Sequence, residues 1–449
     1  MFYFFLWRKI VSIFKLKGVH LRHCKNTAEA VPVRMEVPKK LVLPMSMHIG
    51  APAVPVVKVG DEIKVGQLVG EPGKGLSSPI YSGVSGKVKK IDEIISVAGT
   101  HVTTVVIEPD GLQTVSEDIT PPKVTNREEF LEAVRMSGIV GFGGAGFPTT
   151  VKLSAEVSKI DTIVVNGAEC EPYITSDTRT MIDDAEYVAE GLALIMKYLE
   201  TDKAVIGIEN NKPRCIESMR RATEGMSGVE VKSLPALYPQ GGEKVLVYHT
   251  LGRIIKEGQL PADVGAVVIN CTTVAAIAKY IRTGMPQVEK CVTVDGSAIA
   301  EPKNVIVPIG TPVLELIEFC GGFKCQPRKI LWGGPMMGIA LPDLTMPVLK
   351  QTNAILAFDR KDATPPKSSA CIRCGKCAAH CPFSLSPCDI SKAYEAGDGE
   401  ALERSKVNLC MECGCCSYVC PAKRNIVQKN KLAKAMLRNY QTSKQGGGK

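Results

Sequence analysis

Eight of the chain's seventeen cysteines fall into two copies of one spacing, Cys371-x2-Cys374-x2-Cys377-x3-Cys381-Pro382 and Cys410-x2-Cys413-x2-Cys416-x3-Cys420-Pro421. Three thiolates at two-residue intervals can take three corners of one iron–sulfur cube. The proline after the fourth cysteine turns the chain away, so that this cysteine reaches the other cube. The spacing therefore assigns Cys371, Cys374, Cys377 and Cys420 to one 4Fe-4S cluster, and Cys410, Cys413, Cys416 and Cys381 to a second. Such clusters move single electrons. Zinc is the competing reading, but its sites normally take ligands in two pairs, which a triple run does not offer. Cys388 and Cys415 lie outside the pattern and are expected as buried or neighbouring thiols. Cys170, Cys271, Cys320 and Cys325 lack the spacing of a third site, although Cys320 and Cys325 are close together.

A second set of chemistry-bearing residues lies upstream. Gly141-Phe-Gly-Gly-Ala-Gly-Phe-Pro-Thr-Thr-Val-Lys152 is a glycine loop running into an expected helix. Glycines allow a backbone to approach a phosphate closely, and amides at a helix start attract anions. The loop matches neither the P-loop nor the full dinucleotide fingerprint, and a flexible turn is its bland reading. Three further segments read as loops at strand ends: Asn166-Gly-Ala-Glu-Cys-Glu-Pro172, Tyr238-Pro-Gln-Gly-Gly-Glu-Lys244 and Asn270-Cys-Thr-Thr273. Ligands in open α/β sheets gather at the carboxyl ends of strands, so one composite site can draw on all four.

The elements that must position these groups follow from periodicity. Residues 31–120 read as short strands between Gly and Pro turns, a small β domain. Residues 121–285 alternate apolar strand runs (Thr162, Ala204 and Ala266 onward) with helical patterns (Glu186–Leu199, Arg214–Thr223, Thr273–Arg282), an α/β sheet domain. Residues 286–345 read as strand, turn, strand, helix, strand: a compact α+β unit of β-grasp type. Residues 346–369, with Thr364-Pro-Pro-Lys-Ser-Ser, read as a linker. The α-helical cysteine module occupies 370–440, and 441–449 is expected to be disordered.

At 449 residues the chain holds several domains, and its apolar (45%) and charged (22%) shares exclude a disordered or collagenous protein. Clustered metal-ligand cysteines without a signal-peptide cleavage pattern point to a reducing compartment. Net charge is +9, scattered except for a basic stretch at Lys423–Lys444, which reads as a solvated helix face or as a contact for acidic partners. Residues 1–30 form an arm whose first sixteen are aromatic, apolar and basic. Arg8 and Lys9 interrupt a run too short to span a bilayer, which leaves an interfacial helix or an arm that packs on a partner.

The β domain resembles the barrel-sandwich fold of lipoyl and biotinyl carrier domains; Lys74 sits in its turn, but Pro72-Gly-Lys-Gly departs from their modification motif, so Lys74 is expected to be unmodified. The cysteine module resembles bacterial two-cluster ferredoxins. The glycine loop, Asn-Gly-x-Glu-x-Glu-Pro, Gly-Gly-Glu and Asn-x-x-Thr, in this order, resemble the FMN- and NADH-binding subunit of respiratory complex I. Over nearly the whole chain, including the segment His48-Ile-Gly-Ala-Pro, the arrangement is similar to the RnfC family, found in the Rnf ion-translocating ferredoxin:NAD oxidoreductases. The resemblance implies a barrel-sandwich domain, an α/β flavin/NADH-binding domain, a β-grasp (SLBB-like) domain and a two-cluster module. It places FMN against Gly141, Gly143, Gly144, Gly146 and Lys152, with Asn166, Glu169, Gly242, Glu243, Asn270 and Thr273 completing the pocket. It makes Phe147, Glu171 and Glu243 the catalytic residues facing NAD(H). Phe142 and Ala168 depart from the complex I pattern, where an arginine and an aspartate stand. Taken singly, Lys152 could be a surface lysine, Glu171 and Glu243 capping acids, and Phe147 a core residue.

The resemblance further implies hydride exchange between NAD(H) and FMN, with single electrons passing through the two clusters. The partners implied are the other subunits of the Rnf membrane complex and, through one of them, ferredoxin; no nucleic acid is expected. The chain is expected to be peripheral on the cytoplasmic face of the cell membrane, the ion being pumped by partner subunits. A soluble flavin-dependent NADH reductase, of cobalamin reductase or hydrogenase-subunit type, is the enzymatic alternative, and an iron–sulfur relay without flavin is the non-catalytic one.

Overall fold

A computed structural model describes residues 17–97 and 99–446. The first sixteen residues, on which the interfacial-arm expectation rests, lie outside the described residues. The chain divides into two compact units: a larger one of His23–Pro235 with Leu246–Thr364, and a smaller one containing Ala236–Val245 and the chain from Pro365 onward.

In the larger unit β1 (Val33–Arg34) is followed by β2 (Leu41–Pro44), β3 (Val54–Pro55), β4 (Glu62–Ile63), β5 (Leu68–Glu71), β6 (Ile80–Tyr81), β7 (Gly86–Ile95) and β8 (His101–Pro109). They form two sheets, β2-β8-β7-β4 and β3-β5-β6. Leu41, Leu43, Ile63, Val69, Ile80, Val105 and Ile107 from both sheets share one core, the barrel-sandwich expected here. Alternating inward apolar and outward polar residues are what an antiparallel sheet with one wet face selects.

The middle of the unit holds α1 (Arg127–Met136), α2 (Thr149–Leu153), β9 (Thr162–Gly167), α3 (Ser176–Asp183), α4 (Ala185–Tyr198), β10 (Ala204–Glu209), α5 (Pro213–Ala222), β11 (Val229–Leu234), α6 (Glu243–Leu251), β12 (Ala266–Asn270) and α7 (Cys271–Thr283). Four parallel strands run in the order β11-β10-β9-β12. Helices cover the sheet, so β9, β10 and β12 are continuous apolar runs, which is why they were legible. Edge strand β11, with alternating polar residues, was not. The strand order reverses between β9 and β12, so the crevice that takes ligands in such sheets opens at their carboxyl ends, where Asn166 and Asn270 are register partners.

The third part comprises β13 (Glu289–Asp295), β14 (Lys303–Pro308), α8 (Val313–Phe319), β15 (Lys329–Trp332), β16 (Ile339–Ala340), β17 (Ala354–Phe358) and α9 (Arg360–Ala363). Its mixed sheet runs β1-β14-β13-β17-β15-β16. Two expectations are corrected here. The supposed linker 346–369 contains β17, buried at all five residues and paired with both β13 and β15. The start of the expected β domain contributes β1, which pairs with β14 instead.

The smaller unit contains α10 (Lys376–Ala379), α11 (Pro387–Glu395), α12 (Gly399–Arg404), α13 (Cys415–Tyr418) and α14 (Ile426–Gly446). The cysteine repeat extends to the backbone. Arg373 and Glu412, Gly375 and Gly414, and Ser384 and Lys423 take left-handed conformations at equivalent positions of the two motifs. The expected tail from 441 is instead the continuation of α14 as far as Gly446, because no glycine or proline interrupts good helix formers between Ile426 and Gln445. Its basic residues are largely paired inside the unit: Lys429 with Glu395, Lys431 and Lys434 with Glu412, and Lys444 with Glu403. Among the described residues no helix is long and apolar enough to cross a membrane.

Candidate functional site

The motif cysteines line two separate cavities. One is bordered by Cys371, Cys374, Cys377 and Cys420, the other by Cys410, Cys413, Cys416 and Cys381. Each cavity thus takes three cysteines from one motif and the last from the other, which is the crossover that the spacing implies. The left-handed glycines Gly375 and Gly414 start α10 and α13, and these one-turn helices carry the third cysteine of one motif, Cys377, and that of the other, Cys416. The two cavities differ in exposure. Cys381, Cys413, Cys416 and Cys420 are buried, whereas Cys374 is exposed and Cys371 and Cys377 are half-buried. The two cysteines outside the pattern also sit here: Cys388 Sγ lies 3.6 Å from Cys371 Sγ, and Cys415 borders the other cavity. Four thiols around each of two cavities fit two 4Fe-4S clusters.

In the same unit, the segment Ala236–Val245 packs on the second motif. Tyr238 Oη donates to the Cys413 carbonyl at 2.8 Å, and Gly242 lies against Met411, whose methyl would be 2.5 Å from any Cβ placed there. Gly242 and Glu243, read from the sequence as part of the flavin pocket, therefore belong to the unit of the cysteine motifs.

The other expected pocket residues lie in the larger unit. The glycine loop is pinned at its base: Gly141 N–H donates to the Phe147 carbonyl at 2.8 Å, and Phe142 N–H to Thr273 Oγ1 at 3.1 Å. Ile49 N–H donates to the Gly146 carbonyl at 3.0 Å, which gives the His48-Ile-Gly-Ala-Pro segment a role: it clamps the loop. Gly143 and Gly146 have φ of +72°, a conformation that favours glycine. Gly143, Gly144 and Ala145 are exposed, and open space lies where a Gly144 side chain would start. The helix after the loop, α2, has only five residues, so its dipole is weak and an anion here would rest on loop amides and Lys152. Lys152 is half-buried, with Nζ 3.3 Å from the Val268 carbonyl. Thr149 Oγ1, buried at the start of α2, has no partner among the described residues. An open glycine cradle with a lysine and an orphaned hydroxyl beside it fits a phosphorylated cofactor.

Beneath the cradle the acidic loop after β9 is heavily engaged. Glu169 accepts from Asp177 N–H (2.7 Å) and from Thr178 N–H and Oγ1, and pairs with Lys25 at 3.7 Å. It caps α3 at the expense of a left-handed backbone (φ +44°). Asp177, not singled out in the sequence, accepts from Asn270 Nδ2 (2.8 Å) and Thr272 Oγ1 (2.7 Å), while Asn270 Oδ1 caps α7. Burial and the neighbouring Glu169 push the Asp177 carboxyl up to about 6. Glu171 accepts from Met336 N–H (3.0 Å) and Met337 N–H (2.8 Å), and so holds the turn after β15; a side chain on Gly334 would collide with it.

Two lysines lie buried under the loop. Lys290 Nζ stands 4.9 Å over the Phe142 ring and donates to the Lys350 carbonyl; burial lowers it to about 7. Phe142, where the complex I pattern has arginine, is thus core with the Lys290 amine on its face. Lys350 Nζ donates to Ser78 Oγ, Pro79 O and Gly138 O, tying the β-grasp part to the barrel-sandwich and to the α/β domain.

Comparison with known proteins gives this arrangement a family. Family models match as the RnfC barrel sandwich hybrid domain at residues 14–112, the Nuo51 FMN-binding domain at 134–279, the SLBB domain at 291–340 and a 4Fe-4S dicluster domain at 367–425. The chain is 44% identical over 379 residues to the C-subunit of the proton-translocating ferredoxin:NAD(+) oxidoreductase complex of Clostridium ljungdahlii, covering 83% of each chain. It is 42% identical over 422 residues to the C-subunit of the Na(+)-translocating ferredoxin:NAD(+) oxidoreductase complex of Acetobacterium woodii, covering 93% of this chain and 95% of that one. It is 39% identical over 434 residues to the C-subunit of the ion-translocating oxidoreductase complex of Rhodobacter capsulatus, covering 95% and 84%. The chain belongs to the RnfC family.

In this RnfC-family chain the matched domains follow the order expected from the sequence, and the FMN-domain match spans the glycine loop and both strand ends. What sequence reasoning missed are the long-range partners: Asp177 under the loop, Lys290 and Lys350 in the β-grasp part, and Lys25, whose ammonium meets the carbonyls of Glu169, Glu171 and Ile174. Tertiary packing brings these to the loop from separate elements, and no local pattern announces that.

Proposed function

We propose that this chain is the NAD(H)-facing electron-transfer subunit of a membrane-bound, ion-translocating ferredoxin:NAD oxidoreductase complex, holding FMN and NAD(H) in the larger unit and two 4Fe-4S clusters on the eight motif cysteines. The observation that carries it is the division of those cysteines between two cavities in a chain that also carries a matched FMN-binding domain. When bound, FMN exchanges a hydride with NAD(H) and single electrons with iron–sulfur clusters.

The chain's own share is positioning. Thr273 and Phe147 hold the loop by its base, so the exposed stretch Gly143–Ala145 can offer its amides to the flavin phosphate, with Gly141 and Gly146 setting the bend. Lys152 adds the positive charge. Asn166, Asn270 and Glu169 shape the floor, the last two by capping α7 and α3. Phe147 and Glu171 would face the nicotinamide nucleotide, Glu171 acting through the turn that it anchors. The more open cavity, bordered by Cys374, is the natural exit for electrons to a neighbouring subunit. The subunit sits peripherally on the cytoplasmic face, with the ion crossing through partners.

NADH-dependent ferricyanide reduction by the purified, cluster-loaded chain tests this. Activity that requires FMN and falls in Lys152→Ala supports the reading; a chain that neither takes up FMN nor oxidises NADH overturns it.

A further inference from the structure

The turn that precedes β17 brings two amide side chains to the glycine loop. Leu349 and Thr352 close a tight turn, with Thr352 N–H donating to the Leu349 carbonyl at 3.0 Å and Leu349 N–H to Thr352 Oγ1 at 3.0 Å. The chain then extends into β17, with Gln351 in the turn and Asn353 just before the strand. A side chain begun at Gly146 would meet Gln351 Oε1 at 3.5 Å, and one begun at Gly143 would meet Asn353 Nδ2 at 3.7 Å, with Asn270 Nδ2 at 3.5 Å and Asp177 Oδ2 at 3.8 Å. The two left-handed glycines of the loop and the two amides therefore lie side by side, Gln351 against Gly146 and Asn353 near Gly143.

Gln351 Oε1 is enclosed yet has no hydrogen-bond partner among the described residues. An enclosed, unpaired acceptor is unfavourable, and such groups are found where a ligand or water completes them. Asn353 is half-buried, with its Nδ2 near Gly143. Both groups are neutral and each offers one donor set and one acceptor. That pattern suits a planar amide or imide edge, with adjacent N–H and C=O, better than a phosphate, which calls for cations and donors.

We infer that Gln351 and Asn353, from the β-grasp part, are binding residues of the glycine-loop site that hydrogen-bond an amide or imide edge. This rests on the FMN and NAD(H) reading above. Two sources carry that edge: the pyrimidine ring of the flavin and the carboxamide of the nicotinamide.

The test uses the full cluster-loaded chain and the variants Gln351→Met, which removes the Oε1 acceptor at similar length, and Asn353→Asp, which removes the Nδ2 donor, with Gln351→Leu as a third if Gln351→Met misfolds. FMN affinity is read by flavin fluorescence quenching on deflavinated protein, and the KM for NADH by ferricyanide reduction. Loss of one ligand hydrogen bond weakens binding by about tenfold. A flavin source predicts that loss in FMN affinity with KM for NADH unchanged. A nicotinamide source predicts unchanged FMN affinity and a raised KM, with no such rise for the 3-acetylpyridine analogue, which lacks the amide nitrogen. Folded variants identical to wild type in both measurements overturn the inference alone, leaving a water as the partner of Gln351. Wild-type chain that binds no FMN and oxidises no NADH overturns the parent reading and this one together.

Discussion

Cys420→Ala tests the crossover most sharply. Cys420 borders the cavity of Cys371, Cys374 and Cys377, although it belongs in sequence to the motif of Cys410, Cys413 and Cys416. Its loss should empty the cavity of the first motif, so iron falls from about eight to about four per chain. The pairwise pattern then decides between arrangements. Cys420→Ala combined with Cys374→Ala strikes one cavity twice and should still leave about four iron atoms, whereas Cys420→Ala with Cys413→Ala strikes both and should leave almost none. Cys381→Ala with Cys413→Ala should again leave about four, because both border the other cavity. Iron and acid-labile sulfide on anaerobically reconstituted protein provide the count, and low-temperature EPR of the reduced state shows whether one or two centres remain. If Cys420→Ala with Cys413→Ala keeps four iron atoms while Cys420→Ala with Cys374→Ala loses all, each motif binds its own cluster and the crossover is wrong.

Glu171→Gln replaces one carboxylate oxygen by an amide that faces a backbone N–H at the turn of Met336 and Met337. Each charge-assisted bond there contributes ~1.5–3 kcal/mol, so a loss of about 2–3 kcal/mol should appear in thermal unfolding; an unchanged melt would mean that the turn is held by something else. Asp177, with its carboxyl raised to about 6 from the ordinary 3.8, keeps a proton in the folded state that the unfolded chain has released. Its contribution is thus greatest below pH 4 and is lost as pH rises through 6, by roughly 3 kcal/mol at most. Asp177→Asn should flatten the fall in stability of the wild type between about pH 4 and 6, and parallel profiles for the two proteins would refute this. Tyr238→Phe leaves the Cys413 carbonyl without its buried donor, a cost of about 1–2 kcal/mol; cluster loss on warming should be faster, and equal loss rates would show that the bond is incidental.

Local pattern was a good guide where burial on both faces or metal ligation dictates residue type. The strands at Thr162, Ala204 and Ala266 are apolar because helices cover both sheet faces, and the cysteine spacing reflects cube geometry; both were legible. β17 was not, since Ala354–Phe358 is short and runs into Pro365-Pro366, and only its pairing with β13 and β15 shows it to be core. β1, two exposed residues joined to β14, carries no periodicity at all. In the site, glycines and strand-end residues announced themselves, but the backbone amides of Asp177, Thr178, Met336 and Met337 that the Glu169 and Glu171 carboxylates bind did not, because only the folded chain brings them there. Gly242 and Glu243 read as part of a loop at a strand end, and within the smaller unit their segment packs on Met411 and the Cys413 carbonyl.

Electron exchange among NAD(H), FMN and two clusters on one chain is tested most directly by anaerobic titration of the purified chain with NADH under visible absorption, after iron and flavin are counted. The account predicts bleaching of the flavin band followed by the broad iron–sulfur band. Intact clusters that stay oxidised in flavin-loaded protein at excess NADH would contradict it.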